Sequence, residues 1–344
     1  MASDPQTSQP PVNRSLIAAS MLLATMMTSL DSTIANVALP HIAGSVNASS
    51  DQVTWVLTSY IIAAAVMTPT SGWLAGRFGH KRTFMAAVIG FTVTSALCGA
   101  AQSLSQIVLF RFLQGLSGAM MMPLAQSALL NIFPGSERGP IMAAWGGAAM
   151  VAPILGPVLG GYLTDAFSWR SVFYINLPIG VLCLAGMATY FPDRRLLKRT
   201  RFDGLGFLLL AVTLTAYQLM LDRGQTNDWF ASPETCIEAS ICGLGFVLFL
   251  THSATFSDPF VPLVLFKDRN FVSAILMIGA LSILVFSALA LLPTMTQSLL
   301  GYPVATAGLV MAPRGIGGMI SFFLAGRLVG KIDHRILIII GLFL

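Results

Sequence analysis

Three ionisable residues lie inside long apolar runs of this 344-residue chain, where a charge needs a reason to be. Asp31 sits in "MMTSLDSTIANVALP", Arg111 in "LFRFLQGLSGA" and Arg314 in "MAPRGIGG". A carboxylate at bilayer depth costs roughly 2.5–3.5 kcal/mol on insertion scales, and it escapes that cost by holding a proton. Asp31 could therefore take up and release protons; its other role is structural, bonded to Ser32, Thr33 or Asn36 or capping a helix break. Arg111 is a permanent cation a few residues from a helix end. There it could answer the charge state of a neighbouring acid, or extend its guanidinium to the nearby membrane surface. The "RxxxG" spacing puts Gly115 on the face of Arg111 and permits close helix approach. Arg314 is deeper in its run, and Pro313 beside it predicts a locally broken helix lining a cavity; plain packing is its other role.

Other chemistries find little support. The "GRLVGKI" stretch lacks both the spacing and the hydroxyl of a phosphate-binding loop, and HExxH and GxSxG do not occur. Cys98, Cys183, Cys236 and Cys242 form no CxxC pair and read as small apolar residues. No metal site, no cofactor and no enzymatic activity are expected.

The elements that must hold these residues are membrane helices. Mean hydropathy is +0.78 and only 10% of residues are charged, against roughly a quarter in soluble domains. Runs long enough for a ~30 Å core, about 20 helical residues, recur near 15–39, 53–75, 83–102, 106–132, 140–163, 170–191, 204–221, 236–252, 270–293 and 303–326. That predicts ten helices. An eleventh begins at Ile336 with nine residues left; nine cannot span, so a second bundle is expected to be truncated here. The first run follows a polar stretch, is longer than a signal-peptide core and contains Asp31, so it reads as a retained helix.

Charge placement gives the orientation. Alternate loops on one side hold 15 of the 19 basic residues, among them Arg14, Arg77, Lys81, Arg82, Arg138 and Arg327, while the opposite loops hold only Arg170 and Arg223. The positive-inside rule then makes the N-terminus cytoplasmic. The net charge of +5 becomes a topology signal with the lipid surface as partner, and nucleic acid is not expected. The five Trp, at 55, 73, 145, 169 and 229, all fall near expected helix ends, as an interfacial belt places them.

An internal repeat is also legible. "SGWLAGRFGHKR" at Ser71–Arg82 resembles "AGRLVGKIDHR" at Ala325–Arg335, pairing Gly72 with Gly326, Gly76 with Gly330, Arg77 with Lys331, His80 with His334 and Lys81 with Arg335. Leu39-Pro40, read as the end of the first helix, pairs with Leu292-Pro293 at the end of the ninth. Both hinges face the same side, which implies parallel repeats about an axis along the membrane normal, the arrangement of the major facilitator fold. Each bundle then has a cytoplasmic hinge, here Gly72, Gly76, Arg77, Gly79, Lys81 and Arg82. The expected division is an N-terminal tail at 1–14, a six-helix bundle at 15–191, a basic linker at 192–203, two extra helices at 204–252, a cytoplasmic loop at 253–269 and the start of a second bundle at 270–344.

In "GGAAMVAPILGPVLGGYL" Gly156 and Gly160 form a GxxxG face, flanked by Gly161, and Pro153 and Pro157 lie four apart. Small residues let helices touch and prolines bend them. Met26-Met27 and Met120–Met122 would suit a promiscuous apolar surface, or simply fill the core. Candidates for a substrate cavity are Asn36, Tyr60, Gln114, Met120 and Arg314.

Seven segments in order carry a family resemblance: "LDSTIANVALP", "SGWLAGRFGHKR", "RFLQGLSGA", "APILGPVLGGYLTD", "WRSVFYINLPIG", "LDRGQTNDWF" and "LLPTMTQSLLGYPVATAGLVMAPRGIG". The chain resembles the EmrB/QacA-type drug:proton antiporters of the major facilitator superfamily, the fourteen-helix branch. The resemblance implies two six-helix bundles around two extra helices, exporting amphipathic compounds in exchange for protons across the inner or plasma membrane. It places Asp31 on the family's first-helix acid, Arg111 on its fourth-helix arginine, and Gly156 and Pro157 on its antiporter motif. A periplasmic membrane-fusion adaptor and an outer-membrane channel are implied partners in a Gram-negative cell. Two departures matter: Gly76 stands where the superfamily hinge commonly has Asp, and no acid occupies Leu284 or Val285, where Asp31 would map in the second half. Export of one specific metabolite, such as a lipid or siderophore, and a non-transporting receptor of the same fold are the alternative functions.

Overall fold

The computed structural model describes residues 13–191, 201–302, 304–329 and 331–343. Most of the expected tail and most of the basic linker, with Arg194, Arg195, Lys198 and Arg199, lie outside the described residues. Among the described residues nine helices are long and apolar enough to cross a membrane. The first six are α1 (Arg14–Ser45), α2 (Asp51–Phe78), α3 (His80–Ala100), α4 (Leu104–Ile132), α5 (Gly135–Ala166) and α6 (Ser171–Tyr190). They are followed by α7 (Gly204–Gly224), α8 (Pro233–Thr255) and α9 (Arg269–Thr294). The tenth expected run forms α10 (Val304–Leu328), and α11 (His334–Phe343) begins beyond it. His80 and His334, paired in the repeat, each open the helix after a hinge.

Local signals set several ends. Asn13 caps α1 by accepting from the Leu16 N–H, Ser103 caps α4 by accepting from Gln106, and Ser49 with Gln52 forms a reciprocal capping box at the start of α2. The expected end of the first helix at Pro40 is not observed: α1 continues to Ser45 with Pro40 inside. Proline is tolerated there because the surrounding turns of a long packed helix are held by neighbours. Likewise α10 runs through Pro313 as one helix, so the break expected beside Arg314 is absent.

Packing centres on α1, which lies against α4, α5 and α6. Two apolar clusters stack along the bundle. One joins Met21, Met27, Phe84, Phe91, Met121, Leu129 and Met187. The other joins Leu30, Ile34, Ile107, Val172 and Phe173. Met120 is half-buried and packs against the first cluster. Trp145 departs from the expected place near a helix end: it lies eleven residues into α5 against the first cluster. Trp169 lies in the turn between α5 and α6, where its ring is buried in the second cluster.

The α7–α8 hairpin rests on α2, and α10 packs closely on α5. The GxxxG reading has a physical counterpart. A Cβ on Gly156 would strike the Thr33 side chain, and one on Gly160 would crowd Val37 at 3.3 Å, so these glycines are where α5 meets α1. The opposite side of α5 uses the same device, since Gly139 and Gly326 bring α5 and α10 into backbone contact.

Candidate functional site

Between the two apolar clusters lies a polar layer. The cores leave a gap between Phe91 and Cys98 on α3, between Ile107 and Met121 on α4, and between Phe173 and Cys183 across α6. Ser95, Arg111, Gln114 and Asn176 fall in those gaps, and Asp31 joins them from α1 just past Leu30, where the second cluster begins; all five are buried. Arg111 is completely inaccessible and Asp31 is 2% exposed.

Arg111 donates from a terminal guanidinium nitrogen to Asp31 Oδ2 at 2.6 Å and to Gln114 Oε1 at 2.9 Å. Its Nε donates to the Val56 carbonyl at 3.3 Å. Arg111 and Gln114 are three apart on one face of α4, and Gln114 Nε2 returns a bond to Asp31 Oδ1 at 3.0 Å. Asn176 Nδ2, from α6, donates to the same Oδ1 at 2.9 Å and to Ser95 Oγ at 2.9 Å, and Ser95 donates on to the Phe173 carbonyl at 2.8 Å. The guanidinium carbon lies 4.4 Å from the Tyr60 ring centroid and 5.6 Å from that of Phe173.

The arrangement follows from the cost of burying charge. Two ions taken out of water are repaid only when paired closely and with their remaining bonding capacity filled. Asp31 here accepts three bonds and Arg111 donates three while its cation faces two aromatic rings. Gly115 makes the reach to α2 feasible: a Cβ there would meet Ala63 Cβ at 2.9 Å and the Tyr60 backbone, so α4 and α2 touch where Arg111 crosses.

Of the two roles open to Arg111 from its sequence position, extension to the membrane surface is excluded. Asp31 bonds neither Ser32, Thr33 nor Asn36, because those hydroxyls serve other carbonyls and Asn36 is exposed. Gln114 and Tyr60, assigned to a cavity, are members of this cluster. Arg314 is exposed and donates to the Val285 carbonyl of α9 at 2.8 Å. Asn176 and Ser95 escaped the sequence reading; an amide inside an apolar run, within "WRSVFYINLPIG", was the available signal.

The hinge residues behave differently from one another. Gly79 has φ +92°, which favours glycine, and turns the chain from α2 into α3. Lys81 donates to the carbonyls of Ala188 and Phe191 at 2.9 and 2.8 Å, tying the hinge to the end of α6. Arg77 is exposed, Arg82 is engaged, and nothing lies within 4 Å of a Cβ built on Gly72 or Gly76. Nothing likewise crowds Gly161; Pro157 is half-buried, and the Pro153 side chain lies outside the described residues.

Known proteins place this arrangement. The chain is 41% identical over 317 residues to the multidrug export protein EmrB of Escherichia coli K12, a match covering 92% of this chain and 62% of that protein. It is 41% identical over 323 residues to the fatty acid resistance protein FarB of Neisseria gonorrhoeae, covering 93% of this chain and 63% of FarB. The chain thus spans a little over three fifths of the length of these relatives. Among solved structures, the proton:xylose symporter XylE superposes with a TM-score of 0.62 at 14% identity, covering 93% of this chain and 70% of XylE, a likeness of fold. The Major Facilitator Superfamily model matches residues 21–344. With that match over most of its length and the shared fold, this multi-pass membrane chain belongs to the Major Facilitator Superfamily.

Proposed function

We propose that the chain serves proton-coupled efflux of amphipathic small molecules by alternating access. The observation that carries this reading is the buried Asp31–Arg111 pair, cradled by two side-chain amides between two apolar cores. Protonation of Asp31 cancels its charge and leaves Arg111 a buried cation without a counter-ion. Such an uncompensated charge costs about 3–5 kcal/mol, enough to shift a two-state equilibrium by roughly a hundredfold to a few thousandfold. Proton occupancy and bundle orientation become linked in this way. No cofactor is needed, since the proton gradient supplies the energy.

The hinge from Gly72 to Arg82 and the α5 segment from Pro153 to Gly161 are assigned to movement: Gly79 and Lys81 hold the cytoplasmic turn, and Gly156 and Gly160 supply the helix contact that slides. Asn36, Met120 and Arg314 remain candidates for substrate contact. The basic loops favour a cytoplasmic N-terminus in an inner or plasma membrane. The EmrB likeness supports multidrug export; a periplasmic adaptor and an outer-membrane channel as partners are proposed from the family resemblance of the sequence. The name of FarB supports a second reading, an exporter devoted to a fatty acid or similar lipid.

The test is transport in everted vesicles. Asp31→Asn should insert normally and lose proton-coupled efflux, and Arg111→Lys should fall between wild type and Arg111→Gln, because it keeps a cation without the planar fork. Normal efflux by Asp31→Asn would refute the coupling role. Competition among structurally unrelated cations separates multidrug export from the lipid-specific reading.

A further inference from the structure

A second feature lies away from the ion pair, on the flank where α7 rests on α2. Asp222, near the end of α7, accepts from Thr58 Oγ1 at 2.6 Å, and the Arg223 guanidinium lies 5.0 Å from the Trp55 ring centroid. These two contacts fix the end of α7 beside α2, and α4 packs on the other side of α2. The three helices wall a groove of about 570 Å³, within the ~300–1,000 Å³ typical of small-molecule sites. Its faces are Trp55 and Ser59 from α2, Leu109 and Phe112 from α4, and Leu219 from α7, with Gln52 and Ser105 at one lip. From Leu104 to Phe112 the α4 wall runs about 12 Å at 1.5 Å per residue, less than half of a ~30 Å hydrocarbon core.

Ser59 supplies a polar group to this groove. It is 5% exposed, lines this groove, and its Oγ has no hydrogen-bond partner. Many hydroxyls on the spanning helices bond back to a carbonyl three or four residues earlier, as Thr25, Thr68, Thr92 and Thr213 do; Thr164, Thr235 and Ser253 share the lack of a partner with Ser59, but none of them lines this groove. A buried hydroxyl left unmade is costly, and an acyl chain cannot satisfy it. We propose that this groove binds a neutral, drug-sized amphiphile whose apolar body lies against Leu109, Phe112 and Leu219 and whose single acceptor takes the Ser59 hydroxyl. The site is separate from the Asp31 layer and stands whether or not Asp31 couples transport to protons.

Benzophenone has the required chemistry, an apolar body with one carbonyl acceptor, and it labels neighbouring C–H bonds on irradiation. In the protein reconstituted in phosphatidylcholine nanodiscs, label mapped by mass spectrometry should concentrate on the groove walls. Diphenylmethane, the same shape without the carbonyl, should compete poorly. Ser59→Ala should lower groove labelling about five-fold, as loss of one hydrogen bond implies, and Leu219→Trp should block it by filling the space. The proposal is overturned if label spreads evenly over the lipid-facing helices, or if diphenylmethane competes as well as benzophenone itself in the wild-type protein. It is equally overturned if Ser59→Ala labels the groove undiminished.

Discussion

Removing both charges of the Asp31–Arg111 pair should cost much less than the two single losses added together. In Arg111→Gln the Asp31 carboxylate stays 2% exposed, keeps its bonds from Gln114 and Asn176, and loses the cation it pairs with. The Val56 carbonyl also loses the Arg111 Nε–H. In Asp31→Asn the guanidinium stays fully buried and faces a neutral amide. Each single change leaves one unpaired buried charge, worth about 3–5 kcal/mol of destabilisation. The double variant, Asp31→Asn with Arg111→Gln, buries no net charge and can keep an amide-to-amide bond. Its loss should therefore fall short of the sum of the singles by about 3 kcal/mol, the upper end for residues in direct contact. Reversible unfolding of the four proteins in mixed micelles measures the cycle. The reasoning fails if the two single losses add, since contact at 2.6 Å in a dry interior leaves no room for independence.

Two further outcomes follow from packing and from the cytoplasmic turns. Gly156→Ala should lose about 1–3 kcal/mol through overpacking against Thr33, whereas Gly161→Ala, which meets nothing within 4 Å, should leave the melting temperature of the solubilised protein unmoved. Asp203, which caps α7, also holds α8 and the chain after it: burial alone would raise its proton affinity, but bonds from the Gly206 N–H, His252 Nε2 and the Phe260 N–H outweigh that and hold its carboxyl below the usual range. Its stabilisation should thus be whole above about pH 4, the ordinary carboxylate value, and be lost as the pH falls through the lower folded value; Asp203→Asn should remove that part of the acid dependence of unfolding.

Hydropathy alone located the helices, because a bilayer demands about twenty apolar residues wherever the chain crosses. The same demand exposed Asp31 and Arg111, since a charge within such a run has few reasons to be there. Charge alternation between loops and the paired hinges at Gly72–Arg82 and Gly326–Arg335 made the fold legible for a related reason: topology and duplication are written along the chain. What sequence could not decide was which side chains meet. Arg111 stood equally near the membrane surface and the interior, and only the crossing of α4 over α2 at Gly115 turned it inward. Asn176 lies 145 residues from Asp31 and Thr58 lies 164 from Asp222, so no local spacing announces either bond. Pro40 reads as a helix end and Pro313 as a local break, because a proline removes a backbone donor. Each instead sits within a continuous helix. Position along the membrane normal is a property of the one-dimensional pattern, whereas pairing between helices is a property of how they cross, and that is settled only when the bundle closes.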